Sequence, residues 1–94
     1  MNLKYDVVIV GAGAAGSICA SEAGERGRRV RLIDHSKKFG EKIRISGGGR
    51  CNFTNIHCGP ENFISSNPHF CKSALTQFDS KSFTDILDAA KIPY

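Results

Sequence analysis

Ninety-four residues allow one small domain at most, and the formal net charge of +4 is spread unevenly along them. Between Arg26 and Arg50, nine basic residues stand against two acids, Asp34 and Glu41, which leaves the remainder net acidic. No stretch approaches the ~20 apolar residues of a membrane span, and the four cysteines (Cys19, Cys51, Cys58, Cys71) contain no C-x-x-C pair, so neither a membrane helix nor a zinc site is expected.

The chain opens with an apolar run, Tyr5 to Val10, predicted as a strand covered on both faces. It breaks into Gly11-Ala12-Gly13-Ala14-Ala15-Gly16, a G-x-G-x-x-G turn leading into a helix predicted from Gly13 to about Glu25. Each glycine has its own physical reason. Gly11 permits the tight turn, Gly13 leaves the backbone open to a pyrophosphate, and Gly16 lets the helix lie close against the strand. The helix N-terminus then offers free N–H groups and a positive dipole end to the phosphates. Ile18, Cys19 and Ala23 are spaced to give the helix one apolar face, with Gly24 and Gly27 near its end. A second strand is predicted over 29–33. It stops at Asp34, 18 residues after Gly16 and near the roughly 20-residue offset at which an acid accepts hydrogen bonds from an adenosine ribose. A βαβ unit that binds an ADP-containing dinucleotide follows. A carboxylate at Asp34 disfavours the 2′-phosphate of NADP at this site; FAD and NAD both remain open on these residues.

Residues 35–40 are predicted to turn the chain, and Gly40 to Asn55 form a second glycine-rich loop, GEKIRISGGGRCNFTN. Three successive glycines cost backbone entropy and are expected where the chain bends sharply or approaches another group closely. Lys42, Arg44 and Arg50 supply cations for phosphate oxygens, Ser46 and Thr54 hydroxyls, and Asn52 and Asn55 amides suited to the edge of a polar heterocycle. Ile43, Ile45 and Phe53 are expected to anchor the loop. Cys51 reads as a packed, partly buried thiol rather than a redox centre, because no second cysteine lies close in sequence. No residue stands out as a general acid or base, and His35 and His57 are expected to face solvent.

The final third reads as two short helices. Asn67 before Pro68 is expected to cap the first, with Phe70, Leu75 and Phe78 as its stripe. Ser80 or Ser82 is expected to cap the second, with Phe83, Ile86, Leu87 and Ala90 at helical spacing. Two strands make an incomplete sheet, so the chain is expected to be the N-terminal piece of a larger doubly wound domain, its apolar stripes needing further surface to bury against. A reduced, cytoplasmic setting is expected. An N-terminal signal peptide is not, since Asp6 sits at the start of the apolar stretch and the glycines fall on the dinucleotide pattern rather than at a cleavage site.

The stretch Gly40 to Asn55, at its separation from the opening turn, resembles the signature of the NAD(P)/FAD-dependent oxidoreductases of the aminoacetone oxidase family, which includes a bile-acid dehydroxylation reductase. Phe70 to Phe78 also looks like that family. The resemblance implies an α/β fold: an incomplete Rossmann-like βαβ FAD-binding unit, then a glycine-rich loop and two short helices, with residues 1–94 as the N-terminal part of the FAD domain. It further implies that the rest of that domain and an inserted substrate domain lie outside this chain. Gly11, Gly13, Ala14, Ala15 and Gly16 would meet the FAD pyrophosphate and Asp34 the adenosine ribose. Lys42, Arg44, Ser46, Gly48, Gly49, Arg50, Cys51, Asn52, Thr54 and Asn55 would lie along the flavin side. NAD(P)H would be the hydride donor of the full-length family, the small-molecule substrate is left open, and catalysis by this chain alone is not expected. Two other readings differ in class. An NAD-binding module would leave the 46–55 loop without a role. A small basic nucleic-acid or anion-binding protein would use the Arg26–Arg50 cluster, which lacks interleaved aromatics apart from Phe39; no nucleic-acid or membrane partner is expected.

Overall fold

A computed structural model describes residues 3–94, which divide into two compact units, one ending at Asn52 and one spanning Phe53–Tyr94. In the first unit, β1 (Val7–Val10) leads through the glycine turn into α1 (Ala14–Glu25) and on to β2 (Val30–Ile33). The two strands pair in parallel, Val7 opposite Val30 and Val10 opposite Ile33, so α1 is the crossover of a βαβ unit. Both strands are shorter than expected from sequence. Tyr5 and Asp6 stay outside β1, and Arg29 outside β2, although Asp6 N–H donates to the Arg29 carbonyl at 2.9 Å.

Side chains alternate along each strand. Val7, Ile9, Val30 and Leu32 are half-buried, while Val8, Val10, Arg31 and Ile33 are exposed. One sheet face is covered and the other is open, so the expectation of strands covered on both faces is not met within this chain. Val10 is 83 % exposed, unusual for a valine in a parallel strand.

The helix face is also a correction. Ile18 and Cys19 are exposed, whereas Gly16, Ser17, Ala20 and Ala23 are half-buried. The face turned inward is the small-residue one at i, i+4, i+7. Small side chains let a helix backbone approach a strand closely, and closeness at Gly16 outweighs the bulk that Ile18 would bury.

After β2 comes a second correction. Glu41–Ile45 is a short helix, α2, entered through Gly40 in the left-handed region (φ 66°) and left at extended Ser46 (ψ 154°), where a tight glycine turn over 46–49 follows. The glycines that follow, read with it as one loop, hid the helix. Its charges fit it, with Glu41 in the first turn and Lys42 and Arg44 in the last.

The second unit contains a 3-10 turn at Pro60–Asn62, then α3 (Lys72–Gln77) and α4 (Ser80–Ala89). Asn67 does not cap α3. Its Oδ1 accepts the His69 N–H at 3.0 Å, closing a local turn, and the helix starts only after Cys71. Nor does serine cap α4: Asp79 does, its Oδ1 accepting the Ser82 N–H at 2.8 Å while the Ser82 hydroxyl accepts the Asp79 N–H at 3.3 Å. Phe83 packs against Phe53 (centroids 5.5 Å) and Phe78 (6.4 Å), and Tyr94 meets Phe53 edge-on at 5.7 Å. Only Ala12 and Cys71 are buried hydrophobic residues among those described, a small core for a chain of this length.

Candidate functional site

The candidate site forms where the two strands end. β1 runs into Gly11, whose φ of +105° is open to glycine and strained for other residues, and Gly11 N–H donates to the Ile33 carbonyl at 2.7 Å. A Cβ on Gly16 would collide with the Gly11 carbonyl oxygen, so the helix and strand meet at a distance that only glycine allows. Gly13 is the opposite case. A Cβ there would meet nothing within 4 Å, and the space over the turn is open.

Gly13 precedes α1 as its N-cap with no side-chain hydrogen bond, and no acid stands in the first turn. The N–H groups at the start of the helix therefore lack the carboxylate or hydroxyl that commonly satisfies them, which favours an external anion.

Asp34 sits at the end of β2, as its position in sequence suggests, and is tied into the turn. Its Oδ1 accepts the Ala12 N–H at 3.0 Å and its Oδ2 the Ser36 N–H at 3.1 Å. These two backbone N–H groups, that of Ala12 first, hold its carboxyl below the usual aspartate range. Ala12 is buried, and its carbonyl accepts the Gly40 N–H at 3.0 Å. A pocket of about 320 Å³ opens here, lined by Val10, Gly11, Ile33, Asp34 and His35. It lies outside the carboxyl ends of parallel strands, where open α/β sheets bind ligands.

The opposite ends of the strands have a matching clamp that the sequence reading missed. Asp6 accepts the Arg29 N–H at 2.8 Å and stands 3.6 Å from the Arg29 Nε, and that backbone hydrogen bond lowers its carboxyl below the ordinary value. The signal was an acid immediately before an apolar strand.

The second glycine cluster is a loop closed on itself. Ser46 hydroxyl donates to the Ile43 carbonyl at 2.8 Å and accepts the Asn52 N–H at 3.2 Å, so its hydrogen is spent within the loop. Gly47, Gly48 and Gly49 all have left-handed φ, and so does Cys51 at +64°, a rare state for a non-glycine residue. A Cβ on Gly47 would lie 2.6 Å from the Asn52 Oδ1, while Gly48 and Gly49 face open space. Arg44, Gly49, Arg50 and Cys51 come together with Lys38 and Glu41 around an open cleft of about 520 Å³. Lys42, Ser46 and Asn52 do not line it. Thr54 and Asn55 lie in the second unit, where the Asn55 Oδ1 accepts the His57 N–H at 2.8 Å. Cys51 is half-buried with a free thiol, and His35 and His57 are exposed.

The basic excess is partly engaged inside the fold. Arg26 pairs with Glu22 at 2.8 Å, Arg29 with Asp6, and the Arg31 guanidinium lies 5.4 Å from the Tyr5 ring centre. Among the described residues no cluster of His, Cys, Asp and Glu could hold a metal ion, and no helix is long and apolar enough to cross a membrane.

A βαβ unit with this turn and an acid at its second strand is shared by many dinucleotide-binding proteins. Residues 5–94 match the HI0933-like protein Rossmann domain. The chain belongs to the HI0933-like Rossmann family. Its relatives include a ribosomal RNA dihydrouridine synthase of Escherichia coli strain K12, 55% identical over 90% of this chain and 21% of that protein. The ribosomal RNA dihydrouridine synthase of Haemophilus influenzae is 45% identical over 100% of this chain and 23% of that protein. The 3-dehydro-bile acid delta(4,6)-reductase of Clostridium scindens is 32% identical over 74% of this chain and 18% of that protein. The chain thus spans about a fifth of the length of these relatives. The HI0933-like unit is a Rossmann-type nucleotide-binding domain of a flavin-dependent oxidoreductase family, α/β with an incomplete two-stranded sheet.

Proposed function

We propose that this chain is an FAD-binding segment of a flavin-dependent oxidoreductase. The observation that carries this is the pairing of an uncapped helix N-terminus above open Gly13 with an acid, Asp34, on the pocket at the strand ends. Gly11, Gly13, Ala14, Ala15 and Gly16 would hold the pyrophosphate. Asp34 would take the adenosine ribose, since a carboxylate with one backbone donor on each oxygen retains lone pairs for sugar hydroxyls. Arg44, Gly49, Arg50 and Cys51 border a second cleft of the first unit, and with Lys42, Ser46, Gly48 and Asn52 they would follow the cofactor toward its flavin ring. Bound FAD would supply hydride or electron transfer, which none of these side chains can perform. NAD(P)H is the expected hydride donor, and a cytoplasmic setting fits that chemistry. The chain is expected to need the remaining flavoprotein sequence for turnover.

For the substrate, the two bacterial relatives named as ribosomal RNA dihydrouridine synthases point to a uracil ring in RNA. Saturating its C5–C6 double bond takes one hydride and one proton, a reaction suited to a reduced flavin. The relatives' names thus favour RNA as a partner of the whole enzyme, where the sequence alone led to no nucleic-acid partner being expected. A bile-acid-like enone would be reduced by the same chemistry, as the name of the Clostridium relative suggests.

The test is the visible absorbance of the purified chain after incubation with FAD and desalting. Retained flavin bands support the reading. Gly13→Leu is the matched control: a Cβ there meets nothing, so the variant keeps its far-UV circular dichroism and loses the flavin. A folded but colourless wild type, or flavin retention unaffected by Gly13→Leu, counts against it. NAD retained in place of FAD favours an NAD module instead.

A further inference from the structure

Asp34 carries a difficulty for a phosphate site. A carboxylate bonded directly to the turn that receives a pyrophosphate repels it, and a ribose contact alone would not require that bond. The geometry points to a second role: we propose that Asp34 is a positioning residue, its carboxylate holding the Gly11–Gly16 turn in its anion-receiving shape through the Ala12 N–H. This inference rests on the nucleotide-binding reading above.

Ala12 is 1 % exposed, so water cannot readily replace a lost partner for its N–H, and an orphaned buried donor would force the turn to rearrange. The 3.0 Å bond from Ala12 N–H to Asp34 Oδ1 is one link in a chain. On one side, Ser36 N–H fixes Oδ2 at 3.1 Å and sets the carboxylate plane. On the other, the Ala12 carbonyl takes the Gly40 N–H at 3.0 Å, immediately before α2. The same peptide strip is anchored by Gly11 N–H on the Ile33 carbonyl at 2.7 Å. Two long-range bonds thus hold Ala12, the residue between the first two glycines, its carbonyl to Gly40 and its N–H to Asp34, and Asp34 is the one side chain among these partners.

The two roles predict opposite signs for a ligand without a sugar. If Asp34 only contacts ribose, Asp34→Ala removes a repelling charge, and inorganic pyrophosphate binds as well as before or better. If it positions the turn, pyrophosphate weakens by about tenfold, the effect of one lost hydrogen bond to a charged group, and ADP weakens further because its ribose contact is lost as well. Asp34→Asn keeps one acceptor oxygen for Ala12 and is expected to restore pyrophosphate binding to near wild type while ADP stays weakened. The experiment titrates the full chain and both variants with pyrophosphate and with ADP by calorimetry, and follows amide exchange at Ala12 by NMR. Unchanged or tighter pyrophosphate binding in Asp34→Ala overturns the proposal and leaves the nucleotide reading intact. A wild type that binds neither ligand removes the nucleotide reading. In that case Ala12 exchange decides the brace: slow in wild type and fast in Asp34→Ala supports it, equal rates overturn it. Should Asp34→Ala fail to fold, the same comparison is made with Asp34→Asn and Ser36→Pro, which removes the Ser36 donor without touching the acid.

Discussion

The two glycine clusters of the first unit are held by different means. In the opening turn, backbone groups at Gly11 and Ala12 bond to residues more than 20 positions away, at Ile33, Asp34 and Gly40. In the 46–52 loop the bonds close locally, from Ser46 to Ile43, from Asn52 to Ser46 and from Arg50 to Gly47. One cluster takes its shape from the sheet, the other from its own dihedrals. A site meant to receive an anion without reorganising gains from the first arrangement, and a loop that moulds to a ring or closes over it gains from the second.

The largest break in this contrast is expected at Gly16. Alanine in a helix interior ordinarily stabilises by about 1 kcal/mol over glycine. Here its Cβ meets the Gly11 carbonyl, so Gly16→Ala is expected to cost about 3 kcal/mol or more. In a chain with so small a core that is enough to unfold the first unit in urea-free buffer, seen as loss of strand and helix signal in circular dichroism. A stabilised Gly16→Ala protein would mean that helix and strand do not meet this closely.

The loop gives a smaller and more local effect. Gly47→Ala combines left-handed strain at φ +59° with the 2.6 Å approach to Asn52 Oδ1, whereas Gly48→Ala carries the strain alone. Gly48→Ala is expected to cost about 1 kcal/mol, and Gly47→Ala roughly twice that once overpacking is added. Removing the amide in Asn52→Ala should recover part of the second penalty and none of the first. Additive losses in the double variant, measured by urea titration, would place Asn52 away from Gly47.

Much of this was legible in sequence, for stated reasons. The opening turn and Asp34 could be read because each glycine there answers a distinct steric demand, and the acid falls at a fixed offset set by the length of one helix and one strand. The inward face of α1 was legible only at Ala23, because apolar spacing picks Ile18, Cys19 and Ala23 while the structure half-buries Gly16, Ser17, Ala20 and Ala23. The rule of apolar stripes assumes that bulk decides; close backbone approach decided instead. α2 was hidden behind the glycines that end it, and Asn67 and Asp79 show that cap residues compete with local turns a few positions away. What the sequence could not display was the coupling of Asp34 to Ala12, since both partners read as parts of separate elements.

Cys51 tests how far local dihedrals hold the loop. At φ +64° it pays for a conformation that glycine adopts freely, yet glycine also loses more chain entropy on folding. Cys51→Gly is therefore expected to stay within about 0.5 kcal/mol of wild type, the two terms offsetting. Cys51→Val, β-branched in the left-handed region, should cost about 1–2 kcal/mol. Equal melting temperatures for glycine and valine variants would show that the loop relaxes out of this geometry in solution.

Acid should separate the two clusters most gently. Asp6 and Asp34 accept backbone N–H groups at opposite ends of the strand pair, and both carboxyls are thereby lowered below the usual aspartate range. A group whose folded value is depressed adds stability above its unfolded value and loses it as the pH falls through the folded one. The braced turn is thus expected to loosen on acidification below the ordinary aspartate range, with little change between neutral and mildly alkaline pH. The acidic residues do not bond the 46–52 loop, so its amides should keep their protection to lower pH than those of Gly11 and Ala12. Asp34→Asn should flatten the acid limb for the turn and leave that of the loop unaltered. Simultaneous loss of protection in both clusters, followed by amide exchange from neutral pH downward, would mean that one cooperative unit holds them and that the brace is not separable from the loop.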